Sequence, residues 1–183
     1  KTMSKLQNDT PPEILQLAAF LNNFNQESDR GAALSAAAVL EDCLEEVIKT
    51  FLRDCKSSEK LLDGFNAPIG TFSSKILLAH ALGLIQDNEF QQIELLRKIR
   101  NQFAHTWEYL NFESNTIKSL VFTLPYMGPA DIEKDCRNSP RQYFNFWVAG
   151  ILVNLLWRKN FVVKEKRASK EYIQLYKKDT DSI

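Results

Sequence analysis

Two histidines and three cysteines in 183 residues leave little material for metal or thiol chemistry. Cys43, Cys55 and Cys136 lie far apart, form no CxxC pair and share no zinc-ligand spacing with His80 or His105. An odd number of cysteines fits a reducing compartment better than a disulfide-stapled secreted fold. The glycines build no phosphate-cradling loop, and GxxxxGK[ST], GxGxxG, GxSxG and HExxH are all missing. Net charge is missing too. Twenty-three basic and 23 acidic residues cancel, whereas proteins that live on nucleic acid usually carry excess positive charge that releases counterions from phosphates. The longest apolar run, "FWVAGILVNLLW" at 146–157, falls short of the roughly 20 residues that span a bilayer and is interrupted by Asn154. It reads as a buried core helix. The opening "KTMSKLQNDTPPE" is polar, with no charged-then-apolar leader, so a cytoplasmic location is expected.

What is present is the composition of an ordinary globular protein, 44% hydrophobic and 25% charged, in a chain long enough to build a core without staples. Thr10-Pro11-Pro12-Glu13 has the form of a capping box with proline at the first helical position, and Ile14, Leu17, Ala18 and Leu21 follow at helical spacing. Ser28 or Asp29 can cap a long second helix. In it Leu40, Leu44, Val47, Ile48 and Phe51 form the apolar stripe, and alanines at 32, 33, 36, 37 and 38 let a neighbour approach closely. The acidic group Glu41, Asp42, Glu45 and Glu46 reads as a solvated face. Ser57 or Ser58 is expected to cap a short helix ending at Gly64. A further helix runs through "SKILLAHALGL" to Gly83, and Asp87 caps another over about 88–105 with Phe90, Ile93, Leu96, Ile99 and Phe103 inward. "IKSLVFTLPYM" is compatible with helix or strand. Ser139-Pro140 opens a last long helix to about Lys159, and from Arg158 to Lys178 eight basic residues stand against two acidic ones. No internal repeat and no βαβ rhythm is seen. The expected fold is all-α: a single-domain helical bundle of about six to eight helices over 1–160, with a basic helix or tail over 161–183 and no helix-turn-helix DNA reader.

One helix pair, 71–105, has the short turn of a helix-turn-helix. However, the first turn of its second helix reads "NEFQQIE". Glu89 and Glu94 would repel phosphates, and Phe90 and Ile93 belong to the core stripe. His80, in "LLAHALGL", reads as a core or boundary histidine. The polar residues that stand out are Arg97, Arg100, Asn101 and His105 in "LLRKIRNQFAH". At about 100° per residue, Arg97, Asn101 and His105 share one helix face, while Arg100 and His105 lie about 140° apart. These two converge only if the helix frays before His105 or a second copy faces it. The structural reading is that Arg97, Asn101 and His105 tie the helix end to neighbouring carboxylates or carbonyls, with His105 complementing the helix C-terminus.

The stretch "GTFSSKILLAHALGLIQDNEFQQIELLRKIRNQFAH", 70–105, resembles the mannitol operon repressor family, MtlR and its YggD-type relatives. The matching features are "GTFSSKI", the "ALGLI" turn and "LRKIRNQFAH". The resemblance extends over about 10–160, through the alanine-rich second helix and the later "RQYFNFWVAGILVNLL". The basic run after 160 departs from it. The resemblance implies an all-helical cytoplasmic bacterial protein that negatively regulates mannitol uptake and catabolism. It supplies no DNA-reading motif. The expectation is therefore a transcriptional repressor with no catalysis, no cofactor and no metal. It would act through protein partners or a larger transcriptional complex, with no membrane and no direct operator readout. A looser similarity is to HEPN domains, often dimeric, whose R-x(4–6)-H pattern is matched by Arg100 and His105. There the arginine would stabilise a phosphorane and the histidine would move the 2′-hydroxyl proton without metal. A purely structural regulator of an uptake-system component is a third reading.

The cancelled charge and the acidic first turn at 88–94 generate a direct expectation. Titrated with operator and scrambled duplex at physiological salt, the protein should not separate them. A difference of about 10³-fold or more, typical of specific readers, would overturn this view.

Overall fold

The computed structural model describes residues 11–166. Over this range the chain forms eight α-helices, and among the described residues there is no strand. They are α1 (Pro12–Phe24), α2 (Asp29–Phe51), α3 (Lys56–Leu62), α4 (Phe72–Ala81), α5 (Asp87–His105), α6 (Asn115–Val121), α7 (Glu133–Cys136) and α8 (Pro140–Val162). A 3₁₀ turn, Ala130–Ile132, precedes α7, and another, Val163–Glu165, continues α8. The all-α expectation holds, and the ambiguous run at 117–127 resolves as the helix α6 followed by a turn. Thr10 and most of the basic tail, 167–183, lie outside the described residues.

The helix ends follow local chemistry. Pro12 starts α1, but the position before it is held by Pro11, which has no side chain to offer the orphan N–H groups. Ser28 caps α2, its Oγ accepting from the Gly31 N–H at 3.0 Å. At α4 a reciprocal box forms between Thr71 and Ser74. Its other end is a Schellman motif: Gly83, at φ +70°, sends its N–H to the His80 carbonyl at 2.9 Å, and Leu84 N–H reaches that of Ala79 at 2.8 Å. The start of α3 differs from expectation. Cys55 occupies the cap position, and Ser58 lies inside the first turn, donating back to the Arg53 carbonyl at 2.6 Å. Gln86, not Asp87, precedes α5, and its N–H is accepted by the Glu89 carboxylate at 2.8 Å.

The long helix α2 is the axis of the bundle, with α8, α5 and α4 packed around it and α1 against its α8 side. Ala32, Ala33, Ala36 and Ala37 are buried and bring these neighbours close, while Leu40, Leu44, Val47 and Ile48 fill the space beyond. The run at 146–157 belongs to a helix of 23 residues. Together with its terminal turn this helix is long and apolar enough to cross a membrane by length and composition. Here it is a core element: Phe144, Trp147, Val148, Ile151, Leu152 and Leu155 are all buried. Among the described residues no buried side-chain polar atom lacks a hydrogen-bond partner. Trp147 donates its indole N–H to Gln92 Oε1 at 3.0 Å and Tyr143 its hydroxyl to the Leu124 carbonyl at 2.9 Å. Glu89, buried in the first turn of α5, receives Arg158 of α8 at 2.5 and 2.7 Å, and the same guanidinium caps the Leu84 carbonyl at 2.9 Å.

Lys75 of α4 is the other buried charge among the described residues. Its ammonium lies 2.9 Å from Glu41 and 2.7 Å from Glu45, and Glu45 also meets Lys49 at 2.5 Å. Burial lowers the Lys75 pKa, but the bonds to Glu45 and Glu41 more than offset this and hold it above the usual lysine value. Bonds from Lys49 and Lys75 hold Glu45 below the usual carboxylate value. A raised lysine stabilises the fold below its ordinary pKa near 10.5 and loses this as pH climbs past it. A lowered glutamate stabilises above about 4.5 and loses this on acidification. Melting curves across pH should therefore show a plateau falling on both flanks. In Lys75→Met the plateau should drop by about 1–3 kcal/mol, because Glu41 is left without its partner, and the alkaline flank should flatten. An unchanged alkaline flank in the variant would show that Lys75 does not control it.

Candidate functional site

The polar residues at the end of α5 are not one cluster. Arg97 turns back along its own helix to Glu94, with Nη2–Oε2 at 2.8 Å and Nε–Oε1 at 3.0 Å. Arg100 Nη1 donates to Asn101 Oδ1 at 2.9 Å, and both side chains are half-buried. His105 is exposed at the last helical residue, with no hydrogen bond among the described residues. Because α5 stays regular through His105, Arg100 and His105 keep their separation of about 140° round the helix. The structure thus hydrogen-bonds Arg100 to Asn101, while Arg97 is paired with Glu94 and His105 bonds to neither. The positive charge at the α5 C-terminus comes from elsewhere. Arg30, in the first turn of α2, donates to the Thr106 carbonyl at 2.9 Å. His80, the other histidine, sits at the boundary, stacked on Phe90 with ring centroids 4.3 Å apart and Nε2 2.9 Å from Asp87.

The segment that follows His105 carries what the sequence reading passed over. Trp107 is 92% and Tyr109 91% exposed. Exposed aromatics two residues apart form an apolar patch, and contiguous patches of this kind can mark interaction surfaces. They are not on a slack loop, because both of its ends are tied to the start of α2. Arg30 holds Thr106 at one end. At the other the Asp29 carboxylate accepts the Phe112 N–H at 2.9 Å, and the Phe112 ring is buried between Phe103 and Phe144. Asn111 then opens a turn into α6, its Oδ1 accepting from the N–H groups of Glu113 and Ser114 at 3.1 and 3.0 Å. Asp29 is itself fixed by Arg141 at 3.0 Å. The signal available in the sequence was "TWEYL": two aromatics alternating with polar residues just after a helix has ended, where no 3.6-residue stripe can absorb them.

Among the described residues no group of three or more His, Cys, Asp or Glu side chains could hold a metal ion. This end of the molecule carries two exposed rings, an exposed imidazole and a half-buried guanidinium. The two rings stand on a helical scaffold, in a loop tied at both ends to the start of α2. No protein family and no curated protein matches the sequence. Among solved structures the chain is similar to the X-ray structure of the MtlR–HPr complex from Escherichia coli, with a TM-score of 0.55 at 20% identity, over 80% of this chain and 98% of that one. At that identity the likeness is one of fold, and the bundle is MtlR-like.

The burial pattern separates display from support. His105→Ala, Trp107→Ala and Tyr109→Ala should each move folding stability by no more than about 0.5 kcal/mol, as surface changes do. Phe112→Ala should cost about 3–5 kcal/mol. Urea unfolding measures both. A large loss from Trp107→Ala would show that its ring is packed and not displayed.

Proposed function

We propose that this chain belongs with the mannitol operon repressors and is a cytoplasmic negative regulator of mannitol uptake and catabolism that works by docking a protein partner, without catalysis and without reading an operator. The observation that carries this is the tethered Trp107–Tyr109 loop. Tryptophan, tyrosine and arginine are the residues that most often anchor protein interfaces, and a loop fixed at both ends loses little entropy on binding. The MtlR-like fold supports it, since the similar structure is of MtlR in complex with HPr. So does the occupied first turn of α5, where Glu89 is committed to Arg158 and Phe90 to His80, so that the helix end a DNA reader would use is spent on the core.

The ribonuclease alternative keeps one point in its favour: the exposed His105 is followed by two rings on which unstacked bases could lie. It requires Arg100 to meet a histidine about 140° away on a regular helix, which a homodimer could supply by setting Arg100 of one copy opposite His105 of the other.

Two measurements separate the readings. Titration of the full chain with HPr from the same organism should give a complex. Trp107→Ala with Tyr109→Ala should weaken it by at least about tenfold, the loss of a modest hot spot. An undiminished complex would move the docking face elsewhere, and no complex would remove HPr as the partner. A mixed RNA pool incubated with wild type in EDTA should stay intact. Cleavage that Arg100→Ala and His105→Ala both abolish in folded protein would make the chain a ribonuclease.

A further inference from the structure

The acidic group on α2 divides into two pairs with different surroundings. Glu41 and Glu45 face α4 and are taken up by Lys75 and Lys49. Asp42 and Glu46, one turn apart on the other side, have no ion-pair partner among the described residues. They stand at the rim of a groove of about 310 Å³ between α1, α2 and α8. Glu13 of α1 adds a third carboxylate to the rim, and among the described residues Lys159 of α8 is the one cation beside them. The floor is apolar, from Leu17, Phe20, Val39 and Leu155. The groove runs on between α1 and α8 into a second hollow of about 250 Å³ that shares Glu13 and Lys159 and ends at Trp157, 48% exposed.

The groove follows from how α1 is held. At its C-terminal end Arg141 donates to the Phe24 carbonyl at 2.9 Å, Asn145 donates to Asn25 Oδ1 at 2.9 Å, and the Phe24 ring is buried. Toward its N-terminus Leu17 is the one other buried residue of the helix. Close packing leaves few voids larger than a water between helices, so a space of this size between leucine, valine and phenylalanine is one that packing has not closed. Its volume limits what can fill it. A single turn of helix, about 10 Å across and about 5.4 Å high, takes up about 420 Å³, more than the groove holds. A small molecule fits, because sites for small molecules begin at about 300 Å³ and combine apolar walls with a few polar groups that fix orientation. Here those groups are three carboxylates against one ammonium, a balance that attracts a cation and repels an anion.

We propose that the groove between α1, α2 and α8 binds a small amphipathic cation, an amine on an aliphatic body, with the body on Leu17, Phe20, Val39 and Leu155 and the charged head against Asp42 and Glu46. Bound there, the ligand joins the open end of α1 to α2 and α8. This does not depend on the Trp107–Tyr109 loop or on the function assigned to it.

Cys43, half-buried in the wall of the groove, reports on it from inside. Burial pushes its thiol up to about 11; Lys159 pulls against this, and Asp42 and Glu46 add to it. Cys55 is exposed and Cys136 buried, so in the full chain carrying Cys55→Ser a thiol reagent at mildly alkaline pH reads Cys43, with the rate followed by mass spectrometry. The probes are octylamine, octanol and octanoate, which share an apolar chain and differ in charge. The amine stays protonated there, as a lysine does. Octylamine should slow labelling at a concentration at least about tenfold below octanol, the worth of one charge-assisted contact, and octanoate should protect least. In Asp42→Asn with Glu46→Gln, which keeps shape and removes charge, octylamine should fall to the level of octanol. Protection is taken as the ratio of rates without and with probe in each variant, so that a change in the thiol's own reactivity cancels. Equal protection by all three probes, no protection by octylamine, or a preference for octylamine that survives in the double variant would each overturn the proposal. So would shielding of Cys43 that rises with protein concentration in the absence of probe, which would give the groove to a second copy.

Discussion

The contact between Arg141 and Asp29 joins four parts of the chain at one point. Arg141 stands in the first turn of α8, where the helix dipole disfavours a cation. It is stabilised there by acceptors from other elements: Asp29 at 3.0 Å, the terminal carbonyl of α1 at Phe24 at 2.9 Å, and Asn145 Oδ1 at 2.9 Å. Its guanidinium lies over the rings of Phe24 and Phe112, 5.6 and 5.5 Å from their centroids. Asp29, in turn, is the first residue of α2, a favourable place for a carboxylate, and its second oxygen holds the Phe112 N–H. One ion pair thus aligns the end of α1 and the starts of α2 and α8, and sets the loop that bears Trp107 and Tyr109. A fold made only of helices needs such ties. Each helix satisfies its own backbone, so nothing in the hydrogen-bond ladder fixes one helix against the next.

What could be read from the sequence was what repeats locally. The stripes of α2 and α5, the serine caps at 28 and 139, the proline starts and the glycine stop at 83 all lie within a few residues of what they control. The features misread there were those with two local solutions. Serines at 57 and 58 invited a cap, but Ser58 bonds backward to Arg53 from inside the turn. Thr71 and Ser74, unnoticed, form the cleanest box in the chain. The long-range pairs, Arg141 with Asp29, Arg158 with Glu89, and Lys75 with Glu41 and Glu45, left no periodic trace, because tertiary contact joins residues whose spacing in the chain is arbitrary. The polar residues at the end of α5 were conspicuous as a string, but of them only Arg100 and Asn101 hydrogen-bond to each other. Their neighbours Trp107 and Tyr109 were inconspicuous because aromatic residues are first assigned to a core.

The two faces of α2 show how similar residues take different parts. Glu41 and Glu45 neutralise a lysine that would be costly to bury alone. Asp42 and Glu46, a hundred degrees further round, edge an open trough. The bundle therefore has two distinct surface features. One is the aromatic loop after α5, tied at both ends to the start of α2. The other is the groove between α1, α2 and α8.

The three tryptophans happen to sample these places separately. Trp147 is sealed in the core with its indole N–H on Gln92. Trp107 stands in solvent on the loop, and Trp157 is half-covered at the edge of the groove. Indole emission moves to longer wavelength as its surroundings become more polar. The intrinsic fluorescence of this chain is then the sum of one blue and two redder emitters, each belonging to a different part of the molecule. Quenchers in water reach the two outer ones first and leave the signal of the core.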